Sequence, residues 1–243
     1  MAAEPSISLI FPAYNEAGRI KQTVQEAIDY FASRDLDYEV IVVAEGDDGT
    51  REAVAEMGLT NPRLQAMGDR ERRGKGRAIR QAVARAEKDV IGFADADNKT
   101  PIDELDKLLP LLRDGYDLAI GSRKMGASRI EHAQKAYRRV GSQGFRLFMQ
   151  LAVGLRGIPD TQCGFKFFRR EVAKALFARQ RIDGYMFDVE ILYLAQKAGF
   201  KVAQVPIRWR DDGDSRLQLL SGNLRNVRDI LTIRLTHRNC AFS

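Results

Sequence analysis

Val90-Ile91-Gly92-Phe93-Ala94 is a short apolar run that stops abruptly at Asp95-Ala96-Asp97. Such a run reads as a buried strand, and a strand covered on both faces belongs to a sheet flanked by helices. Open α/β sheets place their ligands beyond the carboxyl ends of the strands, where these two acids would stand. In an extended segment residues i and i+2 point the same way, so the two carboxylates are expected to face one cation together. Their hard oxygens suit Mg2+ or Mn2+, ions that usually accompany phosphates. A solvated acidic turn after a strand has the same pattern, so the rest of the chain must discriminate.

The flanking sequence repeats the strand signal between helical ones. Ile7 to Phe11 predicts a first strand, stopped by Pro12, and Ala17 to Phe31 carries apolar residues at helical spacing. Tyr38 to Val43 predicts a second strand, closed by Glu45-Gly46-Asp47-Asp48-Gly49, with Thr50 expected to cap the next helix. A third strand near Arg63 to Met67 leads to Gly74-Lys75-Gly76 and a helix through Ala86. After the Asp95 strand, a helix from Ile102 to Arg113 is expected to open with Pro101, and Asp117 to Gly121 forms one more strand. This alternation predicts a mostly parallel sheet with right-handed crossovers.

Beyond Arg123 the pattern changes. From Gln134 to Leu155, Tyr137, Val140, Gly144, Phe148, Leu151 and Leu155 make one stripe, and Lys135, Arg138, Arg139, Ser142 and Arg146 another. That is a basic amphipathic helix, suited either to a core with a solvated face or to a membrane surface. A strand over Phe165 to Phe168, a helix from Phe187 and a strand over Val202 to Trp209 follow. A last helix from about Ser221 to His237 carries Leu224, Val227, Leu231 and Leu235 on one side. With no repeat and no linker, residues 1–243 read as a single α/β domain with a C-terminal amphipathic-helix extension.

Charge is unevenly spread over the 243 residues. The net value is +6, but Ser122 to Arg181 holds fourteen Lys/Arg against Glu131, Asp160 and Glu171, a local +11 that leaves −5 elsewhere. The middle of the chain therefore expects an anionic partner, be it nucleic acid, lipid headgroups or a phosphorylated substrate. The basic helix lacks interleaved exposed aromatics and no nucleic-acid motif is present, so nucleic acid is not the expected partner. No run approaches the roughly 20 apolar residues of a membrane span. Met1 to Ser6 lacks the pattern of a signal peptide. Two Cys and two His offer neither a disulfide framework nor much scope for zinc, and a cytoplasmic setting is expected.

Taken together, Phe11-Pro12-Ala13-Tyr14-Asn15-Glu16, the acidic turn after the second strand, Gly74-Lys75-Gly76, Asp95-Ala96-Asp97 and Gly121-Ser122-Arg123 stand in an order that resembles the GT-A (Rossmann-like) glycosyltransferases of family 2. Asp160-Thr161-Gln162-Cys163-Gly164-Phe165-Lys166, Phe187-Asp188-Val189-Glu190, Trp209-Arg210, Gly213 and Ser215-Arg216 narrow the likeness to the polyprenyl- and dolichyl-phosphate sugar transferases. The resemblance implies a hexose moved from a nucleotide donor, UDP-glucose with GDP-mannose as the alternative, to a polyprenyl or dolichyl phosphate, and a soluble acceptor on the same fold is the rival expectation. It implies a nucleotide-binding half over about 1–123 and an acceptor-binding half over about 124–243.

By the same resemblance, Pro12, Ala13, Tyr14 and Glu16 line the base and ribose pocket, Asp95 and Asp97 carry the metal, Asp95 also approaches the ribose, and Ala96 between them belongs to the nucleotide-sugar site. Lys75, Gln162, Arg210 and Arg216 attend the donor diphosphate and sugar, and Asp188, with Glu190, is placed near the sugar hydroxyls. Asp95, Asp97, Arg123 and Arg210 are the expected catalytic residues, and Arg123, Lys124, Arg138 and Arg139 the acceptor-phosphate site. Two departures bear on specificity. Where the family has two Asp after the second strand, Glu45 or Asp47 must read the base. Where mannosyl-type members place a metal-binding Gln, this chain has Lys99, which argues for the glucosyl branch. Attachment is expected to be peripheral, at the cytoplasmic face of a membrane, directly or through a membrane-anchoring partner protein.

Overall fold

The computed structural model describes residues 4–126, 128–130, 153–210 and 221–238. Strand β1 (Ile7–Tyr14) leads to helix α1 (Ile20–Ser33), and β2 (Tyr38–Glu45) to α2 (Thr50–Gly58). Then come β3 (Leu64–Met67), α3 (Lys75–Arg85) and β4 (Val90–Ala94). A 3-10 helix (Ile102–Lys107) and α4 (Leu109–Arg113) precede β5 (Leu118–Ser122) and β6 (Arg129–Ile130). The remainder is β7 (Phe165–Arg169), α5 (Arg170–Arg179), α6 (Phe187–Lys197), β8 (Val202–Pro206), β9 (Arg208–Trp209) and α7 (Ser221–His237).

Seven strands form one mixed, mostly parallel sheet in the order β3-β2-β1-β4-β7-β5-β8. Strand β7 runs antiparallel between β4 and β5, so residues after 123 close the middle of a sheet that earlier residues begin. A second, two-stranded parallel sheet joins β6 to β9.

Both faces of the large sheet are covered, which explains the unbroken apolar strands. Leu9, Phe11, Val40, Val42, Phe165 and Phe167 face α1, the 3-10 helix and α4. Their neighbours Ile10, Ile41, Val43, Phe93 and Phe168 face α3, α5, α6 and α7. The period-two alternation of a strand thus sorts one sequence into two cores. Phe93 anchors β4 just before the acids, with ring centroids 6.3, 6.5 and 5.6 Å from those of Phe168, Phe177 and Phe187. Each such pair adds about 0.5–1.5 kcal/mol beyond its buried area, so the strand end is held firmly.

Several local expectations are corrected. Strand β1 runs through Pro12 to Tyr14, because β4 leaves the ladder after Ile10 and the freed edge needs no proline N–H. Thr50 does not cap α2: it is the first helical residue, and Gly49 at φ 92° precedes it. The segment 102–113 is not one helix. Pro110 lacks an N–H and crowds the preceding turn, so a 3-10 helix ends at Lys107, α4 restarts at Leu109, and Pro101 stays outside at ψ 142°. The strand expected over Val202 to Trp209 divides between the two sheets. In α7 the buried face is Ile230, Ile233 and His237, while Leu231 and Leu235 are exposed. Of the amphipathic helix expected from Gln134 to Leu155, residues 134–152 lie outside the described residues; Val153 is helical, and Val153 and Leu155 are buried.

Candidate active site

Strands β1, β2, β4 and β5 all end on the same edge of the sheet, and the strand-end residues singled out from the sequence, Pro12 to Glu16, Glu45, Asp47, Asp95 to Asp97 and Arg123, gather there. Asp95 follows the last residue of β4, but the chain turns at once instead of staying extended. Asn98 N–H donates to the Asp95 carbonyl at 3.3 Å, and Asn98 itself sits at φ 55°, a left-handed conformation Asn tolerates. The loop is tied to α1: Thr23 Oγ1 donates to the Ala96 carbonyl at 3.0 Å and Asn98 Nδ2 to Glu26 Oε2 at 2.5 Å. The two acids therefore stand in a pinned turn, not on successive pleats of a strand.

Each acid has a lysine. Lys75 Nζ, from the first residue of α3, donates to Asp95 Oδ1 at 2.5 Å. Lys99 Nζ lies 3.4 Å from Asp97 Oδ2. Burial, then the charge of Asp95, push the Asp97 carboxyl above its ordinary range despite Lys99. Lys75 shows the reverse balance: burial lowers its pKa, but Asp95 and Asp188 outweigh it and hold the ammonium charged. Gly164 is required beside the acids, because a Cβ there would lie 2.1 Å from Asp95 Oδ2.

Arg123 follows the end of β5 and is fixed from behind. Its Nε and Nη2 donate to Asp160 Oδ2 and Oδ1 at 2.9 and 2.8 Å, and its backbone N–H also reaches Oδ2. Burial would raise the Asp160 carboxyl, but the Arg123 hydrogen bonds and charge bring it down to about 2. Trp209 links the two charged groups: its ring centroid is 5.2 Å from Arg123 Cζ and 5.8 Å from Lys99 Nζ. Arg210 N–H donates to the Lys99 carbonyl at 2.9 Å, which puts Arg210 beside the acid turn. Lys124 is exposed next to Arg123, and Gln162 is half-buried in the turn between Asp160 and Gly164.

The end of β1 meets the end of β2 with Tyr14 opposite Glu45, following Pro12 and buried Ala13. Arg72 Cζ stands 4.2 Å from the Tyr14 ring centroid. Glu16 N–H donates to Thr50 Oγ1 at 2.9 Å. Glu45 is buried, and its Oε2 accepts the N–H groups of Arg73 and Gly74 at 3.0 and 3.2 Å; Asp47 and Asp48 are the exposed acids of that turn, and Asp48 accepts the N–H groups of Ala17 and Thr50. Asp188 is placed differently from its neighbours. It is sealed in the core with Lys166 Nζ at 2.5 Å, where burial raises its carboxyl against the pull of Lys166 and Lys75. Glu190 is wholly buried as well. Arg138, Arg139 and Arg216 lie outside the described residues.

Sequence reasoning quoted Asp160 and Lys166 within a family motif but gave neither a role in the site. A single lysine inside Phe165-Lys166-Phe167-Phe168 was the available signal, since a charge in a buried strand requires a partner. Asp160 carried no comparable mark, because its partner lies 37 positions away.

The arrangement defines a class before it defines a substrate: an α/β sheet with paired acids at the end of a central strand, backed by lysines and a braced arginine. Residues 8–177 match the profile of glycosyl transferase family 2, and the chain belongs to that family and is a glycosyltransferase. The dolichyl-phosphate beta-glucosyltransferase of Homo sapiens is 32% identical over 249 residues, covering 95% of this chain and 75% of that protein. The dolichyl-phosphate beta-glucosyltransferase of Dictyostelium discoideum is 31% identical over 247 residues, covering 95% and 74%. Among solved structures, glucosyl-3-phosphoglycerate synthase from Mycobacterium tuberculosis, in complex with Mn2+, UDP and phosphoglyceric acid, superposes with a TM-score of 0.68 at 22% identity. It covers 98% of this chain and 80% of its own, and shares the fold. Among the described residues, no helix is long and apolar enough to cross a membrane.

Proposed function

We propose that the chain moves glucose from UDP-glucose to a polyprenyl or dolichyl phosphate, with inversion at the anomeric carbon; GDP-mannose is the alternative donor. The observation that carries this reading is the quartet Asp95, Asp97, Lys75 and Lys99 at the end of β4, with Arg123 held by Asp160 across Trp209. The names of the curated relatives support glucose and dolichyl phosphate.

The residues fit a divalent ion. Asp95 and Asp97 are hard oxygen donors one residue apart, and the carboxyl of Asp97 is held up by burial and by its neighbour, a strain that a cation relieves. Mg2+ or Mn2+ held there would offset the charge that builds on a departing diphosphate. We assign Lys75, which is paired with Asp95, and Arg210, whose N–H meets the Lys99 carbonyl, to the same oxygens, with Arg216 added by resemblance. Lys99 adds positive charge beside Asp97, in the position where the mannosyl branch has Gln.

A phosphate acceptor is already anionic at neutral pH, so no strong general base is needed. The protein's task is to align two anions and screen their repulsion. Arg123 is suited to this because Asp160 fixes its guanidinium before substrate arrives, and Lys124 stands beside it; Arg138 and Arg139 extend the proposed acceptor site. Glu45 or Asp47 reads the base, with Pro12, Ala13, Tyr14 and Glu16 around the ribose and Gln162 near the sugar. We place the enzyme peripherally, at the cytoplasmic face of a membrane, reached through the basic segment 134–155 or a membrane-anchoring partner.

The test is a matrix of UDP- and GDP-sugars against polyprenyl phosphate and a soluble phosphorylated acid, each with Mg2+ or Mn2+. Nucleoside diphosphate release with formation of a glucosyl lipid is expected, and Arg123→Ala should raise the lipid-phosphate KM about tenfold with little change for the donor. Transfer to the soluble acid alone, or release of pyrophosphate, overturns the reading.

A further inference from the structure

The Glu190 carboxylate, fully buried in α6, has three donors converging on it. Arg181 N–H reaches Oε1 and Ile182 N–H reaches Oε2, both at 2.8 Å, and His237 Nε2 lies 2.6 Å from Oε1. The first two belong to the segment between α5 and α6; the third belongs to the last turn of α7. Because a carboxylate only accepts, the imidazole tautomer in this contact is the one protonated at Nε2. A charge buried this deeply is retained only where it is fully hydrogen-bonded, and here it organises a loop.

That loop is the floor of the Lys75 turn. The Asp183 carbonyl accepts Gly76 N–H at 2.8 Å and Arg77 N–H at 3.3 Å, at the start of α3. Arg80 pairs with the Asp183 carboxylate at 2.8 Å. Buried Gln180 braces the segment by donating Nε2 to the Ile182 carbonyl at 2.7 Å. The approach is so close that a Cβ on Gly74 would lie 2.4 Å from the Asp183 carbonyl oxygen, and one on Gly76 2.5 Å from that of Ile182. The glycines flanking Lys75 therefore admit the protein's own carbonyls, and Lys75 between them is aimed at Asp95.

We infer that Glu190 is a positioning residue for the donor site: it fixes segment 181–183, which fixes residues 74–77 and hence Lys75 against Asp95, and α7 shares in this through His237. Lys197 ties the same helix end by donating to the carbonyls of His237 and Arg238. The donor side of the inference rests on the nucleotide-sugar reading above; the mechanical side does not. An ångström of displacement at a group that meets a diphosphate costs up to about 10^2 in rate, so a remote carboxylate can matter to binding.

The experiment compares Glu190→Gln, His237→Leu and His237→Gln with Leu176→Ala, a core truncation in α5 off this path. Backbone amide exchange at Gly76 and Arg77 is measured without nucleotide, and KM for donor and acceptor separately. Glu190→Gln keeps one accepting oxygen and places an N–H2 against an N–H, so exchange at both amides should rise about tenfold or more. Its donor KM should rise by a similar factor while the acceptor KM stays within about twofold. His237→Leu should do the same more weakly, and His237→Gln, whose amide still donates, should restore most of the protection. Leu176→Ala should lower the melting temperature without this split. If Glu190→Gln does not fold, His237→Leu decides, since it perturbs only the end of the last helix. Unchanged exchange at Gly76 and Arg77, or donor and acceptor KM moving together as in Leu176→Ala, overturns the inference. Accelerated exchange in a protein that binds no nucleoside diphosphate upholds the positioning and overturns the functional reading instead.

Discussion

Two sets of ion pairs lie within a few residues of each other and behave oppositely. In one, Lys166 and Asp188 are 0% and 4% exposed at the side chain, and Lys166 also donates to the Cys163 carbonyl at 2.5 Å. In the other, Asp95 remains 39% and Asp97 26% exposed even with Lys75 and Lys99 on them. The first set is sealed and saturated, so it has nothing left to offer a ligand. The second is charge-balanced but open, and the carboxyl of Asp97 is held above its ordinary range. Arg123–Asp160 is intermediate, with a buried acid and a guanidinium that reaches outward. The lesson is that protein-supplied partners distinguish scaffold charges from working ones by how much access they leave.

The comparison breaks most readily at Lys166. Lys166→Met strands the Asp188 carboxylate in the core and should cost about 3–5 kcal/mol of stability, read from the urea midpoint. Replacing both partners with apolar residues should recover most of that loss. A single variant within about 1 kcal/mol of the parent would show that the pair is not scaffold.

Asp97→Ala should act the other way, lowering kcat by about 10^2–10^3 while the melting temperature moves little. Near-normal turnover would remove Asp97 from the working set.

Asp160 sharpens the middle case through pH. Its carboxyl is brought to about 2 from an ordinary 3.8, so the bridge is fully present above about pH 4 and is lost as pH falls through 2. That difference amounts to about 2 kcal/mol, and Asp160→Asn should both remove it and flatten the acid limb of the stability curve. An unchanged acid limb would mean that Arg123 is held by something else.

The elements most legible in the sequence were those whose signal is local. Val90 to Ala94, Tyr38 to Val43 and Phe187 onward lie where their periodicity puts them, and the acids close β4 as expected. The break before Pro110 was missed although its signal was local: apolar spacing over 102–113 suggested one helix, and the proline divides it by its own chemistry. The face of α7 had no such local signal. Leu224-Val227-Leu231-Leu235 and Ile230-Ile233-His237 both satisfy helical spacing, and only the neighbouring helix chooses between them.

Alternation and apolar runs in the amino-acid sequence by themselves determined a two-faced sheet and two acids at the end of one strand. Tertiary structure alone decided that β7 enters antiparallel between β4 and β5, carrying Lys166 to Asp188 and Gly164 to Asp95. It alone set Glu190 on the backbone of Arg181 and Ile182, next to the Asp183 carbonyl that meets Gly76 and Arg77. The physical reason is range: a strand or a turn is dictated by residues a few positions apart, whereas a buried charge is legible only once its distant partner is in contact.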